Sequence, residues 1–422
     1  MTATTLPPPR IQTLDIVRGF AVMGILAMNI VAFAMPFNAY LNPASFGSEG
    51  AADYASWVFS FILIDGKMRG LFSFLFGASM LLVIERAEAK GERAGSVHYR
   101  RMGWLLVFGL AHYWFIWFGD ILAGYAMIGM IAWFFRRLSP RKLIIWGVIF
   151  TVVQTLIFAG MSAAVFMLQQ SVAAGTAEPA LVTEWQGLQN KFGVLTGQPL
   201  SEALSLHLGS WQGLVHHRLF EQGLAPFTSL PMFGWETLAY MLFGMAALKS
   251  GFFRGEWSTG SYRKALLIGF GIGIPAYALL AWFLMADGFS VPMVMALVMA
   301  GTTPFRPLMV VAIASLIILA TRRGGTLVDR IAAAGRAAFT NYLGTSILMT
   351  TLFYGYGFGL FGTMSRVELW LVVLPMWGLM LLWSKPWLDR HQYGPFEWLW
   401  RSLSRWSLQP MRRPAPAAAA AE

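Results

Sequence analysis

The chain contains no cysteine and few charged residues, and both features limit the class of protein to which it can belong. Without cysteine it has no disulfide framework, no thiolate nucleophile and no cysteine-based metal site. Only 12% of its 422 residues are charged, whereas soluble domains carry about 25%. Histidine is also scarce, with six residues and no HxxxH pattern, so we expect no metal centre. The absence of cysteine excludes enzymes that use a cysteine nucleophile or a cysteine-bound metal, and the low charge content argues against a soluble protein.

What the sequence does contain is apolar. Hydrophobic residues make up 57% of the chain, including 18 Trp and 33 Phe, and they occur in runs long enough to cross a bilayer, about 20 residues each. The net charge of +11 is concentrated in alternate loops, as is typical of cytoplasmic loops that meet anionic lipid. The sequence therefore predicts an all-α, polytopic membrane helix bundle that contacts lipid and binds no nucleic acid.

We predict a single transmembrane domain over residues 1–411, with both termini cytoplasmic because every second loop is rich in Lys and Arg. About ten helices should cross the membrane: 13–36, 53–86, 100–118, 120–136, 142–169, 230–249, 262–286, 304–321, 335–356 and 366–385.

The segments between and after these helices differ in character. Residues 170–227 form the one long outer loop, which we expect to contain interfacial helices. Residues 292–302 are too short to cross the membrane and should be re-entrant or interfacial. An amphipathic cytoplasmic helix is expected within 386–408, and the Pro/Ala-rich tail 412–422 should be disordered.

The first helix carries polar residues within its apolar run. Asp15 and Arg18 are three residues apart and can pair on one face. Asn29 follows Arg18 by eleven residues, which is close to three turns, so both side chains face the same way, about 16 Å apart. Charge in hydrocarbon usually marks a pocket or pathway. The alternatives are a helix cap with a structural ion pair, and an Asn that bonds a neighbouring helix.

The second helix contains the sequence IDGKMRG deep within its apolar run. Asp65, Lys67 and Arg69 with the two glycines call for a break in the helix or a water-filled cavity. Two cations there would suit an anionic ligand or a developing oxyanion. Alternatively, Asp65 neutralises one cation while the other extends to the surface.

Two further sets of residues complete the candidate site. His112 is the only histidine within a predicted span, and Asp120 follows it across a tight turn. A carboxylate can orient an imidazole that accepts a proton. The alternatives are a packing histidine and a helix N-cap. Asn341 and Tyr342, in the ninth helix, are included as candidate ligand-binding residues.

Several motifs together resemble the YeiB-type family of bacterial inner-membrane proteins, which carries a domain of unknown function. They are LDIVRGFAVMGILAMNI, IDGKMRGLFSFLFGASM, HYRRMGWLLVFGLAHYWFIWFGDILAGYA, GRAAFTNYLGTS and GPFEWLWR. The resemblance extends over nearly the whole chain except the long outer loop. It implies a multi-pass protein of the bacterial inner membrane.

More distantly, the first helix resembles the transmembrane acyltransferases, in which an Arg is followed eleven positions later by His or Asn. Arg18 and Asn29 occupy these two positions. In the N-acetyltransferase variant a catalytic His follows in the outer loop, where this chain has Tyr40 and no His between positions 30 and 97. We expect His112 to take its place. The resemblance implies acyl-CoA as the donor, with a small-molecule, lipid or saccharide acceptor.

The resulting hypothesis is an acyltransferase that moves an acyl group from acyl-CoA to a hydroxyl or amine. Arg18 would bind donor phosphates, Lys67 and Arg69 would stabilise the oxyanion, and His112 with Asp120 would deprotonate the acceptor. The first alternative is a transporter of a small anionic or zwitterionic solute, with His112 and Asp120 as a proton relay. The second is a structural or sensory protein. A homodimer is also an open alternative.

Overall fold

The computed structural model describes residues 11–413. In this part of the chain the structure is helical, and its only β pairing is a single bridge between His391 and Arg412. The predicted all-α class is therefore confirmed. The predicted disordered tail lies outside the described residues from position 414 onward.

The longer helices are α1 Gln12–Ala34, α2 Ala51–Leu63, α3 Lys67–Ala89, α4 Ala94–Phe115, α5 Leu122–Ala132, α6 Pro140–Ala173, α7 Pro179–Phe192, α8 Gly197–Leu208, α9 Leu230–Lys249, α10 Thr259–Asp287, α11 Arg306–Thr321, α12 Thr326–Arg336, α13 Ala338–Phe353, α14 Trp370–Arg390 and α15 Pro395–Arg405. Short α-helical turns occur at Asn38–Leu41, Trp211–His216, Ala225–Thr228 and Val291–Met293. The 3₁₀ turns are Pro43–Ser45 and Trp133–Phe135, and the π-helical segments are His217–Glu221 and Val294–Gly301.

Helix α1 is the centre of the bundle, with 18 of its 23 residues buried. It crosses α12 with the two backbones in direct contact. A β-carbon at Gly19 would overlap the carbonyl of Ile331, and one at Gly335 would overlap the carbonyl of Asp15. Small residues allow this close approach, as is common where helices pack in membranes.

The outer helices expose broad apolar faces. Large hydrophobic side chains of α6, α10 and α14, such as Leu156, Leu267 and Leu371, are exposed, as suits helices surrounded by lipid. Within residues 11–413, five helical stretches are long and apolar enough to cross a membrane: Gln12–Ala34, Ala51–Ala89, Pro140–Ala173, Thr259–Asp287 and Trp370–Arg390. The bent pair Val291–Gly301 and α11, with 55° between them, gives a sixth. The protein is therefore polytopic and helical, which indicates a multi-pass membrane protein.

The predicted break in the second helix is present. Helix α2 ends at Leu63 and α3 begins at Lys67, with Gly66 at φ +68° between them. Only glycine adopts this backbone region without steric penalty. The break places Asp65 and Arg69 on the wall of a cavity rather than on a continuous helix face.

The long connection between α6 and α9 folds into helices α7 and α8 and several short turns. It is attached to the rest of the chain by buried amides. Asn38 donates to the carbonyls of Asn190 and Gly193 at 2.9 and 3.1 Å, and Asn42 donates to that of Phe192 at 3.0 Å. This connection is thus largely helical, and its amide contacts hold it to the segment that follows α1.

Candidate functional site

Two cavities lie at opposite ends of α1. The first, which we name the arginine cavity, has a volume of about 460 Å³. Its arginine, histidine and carboxylate lining residues are Asp15, Arg18, Arg86, His98, Arg101, Arg336, Glu397 and Arg401. The second, the helix-break cavity, has a volume of about 360 Å³. Its charged and amide-bearing lining residues are Asn29, Asp65, Arg69, Asp120 and Arg306.

The arginine cavity combines positive charge with aromatic surface. Five arginines face two carboxylates around it. As its spacing predicts, Arg18 pairs with Asp15 at 3.1 Å, and it also donates to the Ser79 hydroxyl at 2.7 Å. The guanidinium of Arg101 lies 4.1 Å from the ring centre of Trp400, within cation–π distance. The cavity is suited to an anionic ligand with a flat or apolar portion.

Glu397 of α15 closes one side of this cavity by capping another helix. Its carboxylate accepts the backbone N–H groups of Phe339 and Thr340 at 2.7 and 3.1 Å, which are orphan donors at the start of α13. Burial raises the pKa of this carboxyl above its usual value. The predicted amphipathic segment 386–408 is therefore the end of α14 followed by α15, which packs on the bundle over the arginine cavity.

The helix-break cavity has a mixed polar and aromatic lining. The Tyr40 hydroxyl donates to Asp65 at 3.2 Å. Asn29 lines the cavity, and its amide has no hydrogen-bond partner among residues 11–413. The aromatic lining residues are Phe37, Tyr40, Trp117, Phe118, Phe158 and Phe233. The cavity can therefore hold a small ligand with both apolar and polar groups.

One carboxylate links the two arginines of the helix-break cavity. Glu236 of α9 accepts from Arg69 at 2.6 Å with one oxygen and from Arg306 with the other. Its side chain is only 2% exposed. Arg306 also donates to the hydroxyl of Thr302. Because two arginines share one carboxylate, this triad has a surplus positive charge.

His112 and Asp120 form the predicted pair. Nδ1 of His112 lies 3.0 Å from Asp120, and both side chains are 1% exposed. The second carboxylate oxygen accepts the Ala123 N–H at 2.7 Å, so Asp120 also caps the start of α5. The other imidazole nitrogen, Nε2, is buried without a hydrogen-bond partner in the part of the chain described. If Asp120 accepts a proton from Nδ1, Nε2 carries a free lone pair that can accept another.

This pair lies in the wall between the two cavities. Ile121 lines the helix-break cavity, whereas the next residue, Leu122, lines the arginine cavity. Tyr342 also lines the arginine cavity, and its ring centre is 5.2 Å from that of His112. Its hydroxyl accepts the N–H of Ile121 at 3.3 Å. The wall is thus thin, and the imidazole is in contact with residues that face both sides.

Two predicted site residues lie away from both cavities. Lys67 is fully buried, donates to the Phe61 carbonyl at the end of α2, and lies 3.2 Å from the ring centre of Tyr277. Asn341 donates to the Ala334 carbonyl at 3.0 Å and accepts from Trp383 at 2.8 Å. The structure divides the other eight between the two cavities rather than gathering them in one site. Asp15, Arg18 and Tyr342 line the arginine cavity, Asn29, Asp65, Arg69 and Asp120 line the helix-break cavity, and His112 lies behind Asp120.

Sequence reasoning missed the partner residues of Arg69. Arg306 is the only charged residue between Asp287 and Arg322, and Glu236 is the only one between Glu221 and Lys249. A lone charge in each apolar run is a signal that could have identified both. Among the described residues no group of three or more His, Asp or Glu side chains could hold a metal ion.

Comparison with known proteins places this architecture in a family. The family described as "Protein of unknown function (DUF418)" matches residues 247–407. The chain is 32% identical to the uncharacterized protein YxaH of Bacillus subtilis, over 97% of this chain and 98% of the relative. It is 33% identical to the uncharacterized protein YeiB of Escherichia coli, over 93% and 95%. A 39.9 kDa protein of Bacillus acidopullulyticus is 25% identical over 94% of each chain. No solved structure matches the chain.

Proposed function

The chain belongs to the YeiB-type (DUF418) family, and we propose that it is a membrane acyltransferase that moves an acyl group from an acyl-CoA to an acceptor. One observation carries this proposal. An imidazole oriented by a carboxylate lies in the thin wall between a cationic cavity and a mixed polar cavity. A transferase that receives its two substrates from opposite sides needs this arrangement.

The arginine cavity is the proposed donor site. Acyl-CoA is an anion with several phosphate charges, and arginine pairs with phosphate through two parallel hydrogen bonds. The five arginines supply such donors, and the rings of Trp400 and Tyr393 offer stacking surface beside Arg101 and Arg401. The thioester end would extend toward Leu122 and Tyr342, where the wall is thin.

The acceptor would occupy the helix-break cavity and be activated by His112. Nε2 would accept the acceptor's proton while its O or N attacks the thioester carbonyl, and Asp120 would stabilise the imidazolium. The C–S bond then breaks, the imidazolium protonates the leaving thiolate, and free CoA results. Asn29, which lines this cavity, is the proposed donor to the oxyanion of the tetrahedral intermediate.

The absence of cysteine makes a direct test simple. A thiol-reactive dye added to purified protein with acetyl-CoA or palmitoyl-CoA and an amine or hydroxyl acceptor, such as leucine or glucose, reports only released CoA. We expect His112→Gln to lower release at least about 100-fold, within the usual range for loss of a general base, while both thioesters still raise the unfolding temperature. The exposed His216→Gln is the matched control and should retain full activity. Equal release by the His112 variant, or neither stabilisation nor release in the wild type, would refute the proposal.

The transporter alternative is favoured by a different observation, the buried ion-pair triad around Glu236. Two cavities separated by a thin wall also fit a protein that opens to one side at a time. Sealed proteoliposomes distinguish the two. Solute uptake that needs a gradient and occurs without acyl-CoA supports transport, whereas CoA release in detergent supports transfer.

We also propose the finer topology: ten spans, both termini cytoplasmic, and location in the bacterial inner membrane. In this arrangement α4, α5, α9 and α13 cross in addition to the five stretches and the bent pair named above, and the arginine cavity opens to the cytoplasm. Because the chain has no cysteine, single introduced cysteines report sidedness. Glu92 and Gln186 are both exposed. The variant Glu92→Cys should react with a membrane-impermeant thiol reagent only after the membrane is permeabilised, whereas the variant Gln186→Cys should react in intact cells. The reverse labelling would overturn the orientation.

A further inference from the structure

The charges in the helix-break cavity define a ligand class. Resting on the transferase proposed above, we propose that the acceptor is a zwitterion, a primary amine that also carries an acidic group, bound between Asp65 and Arg69. The argument comes from which charges in this cavity already have partners and which do not.

Asp65 is the cavity's uncommitted carboxylate. It lines the helix-break cavity, and its one side-chain hydrogen bond within residues 11–413 comes from the neutral Tyr40 hydroxyl at 3.2 Å. No cation in this part of the chain comes within the 4.0 Å of an ion pair with it. Asp120 differs, because both of its oxygens are occupied, by His112 and by the Ala123 N–H. Lys67 interacts with Asp65 through its charge, but beyond ion-pair distance, and its ammonium donates to the Phe61 carbonyl instead. Asp65 is therefore the natural partner for an ammonium group.

Arg69 is the matching cation. Its side chain is 24% exposed and bonds Glu236 through a single nitrogen. A guanidinium has five N–H donors in a fixed fork, so several remain for a ligand. Glu236 is shared with Arg306, and the triad keeps one positive charge that its own carboxylate does not neutralise. A carboxylate or phosphate on the ligand would neutralise that charge.

The remaining walls suit the body of such a ligand. The Asn29 amide has no partner among the described residues, and the rings of Phe37, Trp117 and Phe118 are apolar surface. A ligand with an amine alone would leave the surplus charge of the triad uncompensated, and an acid alone would face Asp65. Uncompensated charge is strongly unfavourable in a buried site, so a ligand with both groups fits best.

With an amine as the acceptor, all atoms and protons of the transfer reaction are accounted for. The bound ammonium first loses one proton to solvent and becomes a nucleophile. Its nitrogen attacks the thioester carbonyl, His112 takes the second proton, the C–S bond breaks, and that proton passes to the thiolate. The products are an amide, free CoA and one released proton.

The test measures binding without donor, so that it is independent of acyl transfer. Two series are titrated against purified protein in detergent by thermal stabilisation: phenylalanine with phenethylamine and 3-phenylpropionate, and leucine with isoamylamine and 4-methylpentanoate. We expect at least one zwitterion to bind at least about tenfold more tightly than either single-charge analogue, the discrimination expected from one charge-assisted contact. In the variant Asp65→Asn, the zwitterion should no longer bind more tightly than its acid analogue. Glu49 is an exposed carboxylate outside the cavity, so the control variant Glu49→Gln should keep this preference.

The outcomes separate the two proposals. Binding of a zwitterion without CoA release would retain this inference and remove the transferase. CoA release with glucose or another neutral acceptor, without zwitterion binding, would retain the transferase and overturn this inference. Three other results would also overturn the inference of a zwitterionic acceptor. They are equal binding within each series, no binding by any compound, and an unchanged preference in Asp65→Asn.

Discussion

The carboxylate of Glu236 has two arginine partners and almost no access to water, so neutralising it should be very damaging to stability. The substitution Glu236→Gln keeps the shape of the side chain and removes its charge. Removing one partner of a buried ion pair typically costs about 3–5 kcal/mol, because the remaining charge is left buried. Here two guanidinium groups lose their partner, with side chains 24% and 10% exposed. We therefore expect destabilisation in the upper part of that range.

The two arginines should not be equivalent. Arg306→Gln removes the more buried cation together with its bond to Thr302, and should destabilise by about 3 kcal/mol. Arg69→Gln removes the more exposed cation and leaves Glu236 paired with Arg306. We expect about 1–2 kcal/mol for this change, because water partly screens the pair. The predicted order of damage is Glu236, then Arg306, then Arg69.

The assay is equilibrium unfolding in mixed micelles with increasing dodecyl sulfate, followed by the fluorescence of the 18 tryptophans. The double variant of Glu236 and Arg306 completes a double-mutant cycle. We expect it to be less destabilised than the sum of the single variants, since it removes both charges of one pair. A change below about 1 kcal/mol for Glu236→Gln, or strict additivity in the cycle, would refute a buried, coupled triad.

Three further results are expected. Gly19→Ala and Gly335→Ala should each unfold at a lower temperature, because the added β-carbon would overlap a backbone carbonyl of the neighbouring helix. Gly103→Ala has open space around its β-carbon and should not. Equal effects of all three substitutions would contradict the contact between α1 and α12. Burial lowers the pKa of His207 to about 4, while an unfolded histidine titrates near ~6.5. Stability should therefore fall as the pH drops from 6.5 toward 4, and His207→Phe should remove that part of the pH dependence measured by thermal unfolding. Glu397→Ala should lower the unfolding temperature by removing the cap of α13, and Glu397→Gln, which keeps one acceptor oxygen, should lower it less.

The spacing of residues along the sequence predicted contacts between residues that are close together in the chain. The pairing of Asp15 with Arg18 follows from the three-residue helical period. The tight turn between α4 and α5 made a pairing of His112 with Asp120 plausible, but the separation of eight residues did not by itself specify the contact that the structure shows. The break at Gly66 follows from two glycines and three charges within an apolar run.

Contacts between distant segments could not be predicted in this way. Glu236 is 167 residues from Arg69 and 70 from Arg306, and no periodicity within one helix specifies which helices become neighbours. Lys67 illustrates the opposite problem. Its charge in an apolar run suggested a ligand, but the break leaves carbonyl groups at the end of α2 that need a donor, and the lysine supplies it to Phe61. The sequence shows that a charge is buried, but not which backbone group binds it.

The proposed transferase depends on the wall between the cavities, and the contacts within this wall suggest where it would open. Tyr342 is held by two long hydrogen bonds, 3.3 Å from the Ile121 N–H and 3.4 Å to the Gly119 carbonyl, which are weak by their length. Behind it, Nε2 of His112 is buried without a hydrogen-bond partner among residues 11–413, which typically costs about 1–3 kcal/mol. A ligand that hydrogen-bonds this nitrogen would recover that energy while displacing only the weak contacts of the tyrosine. A ligand that binds at this nitrogen is therefore the natural means of opening the wall.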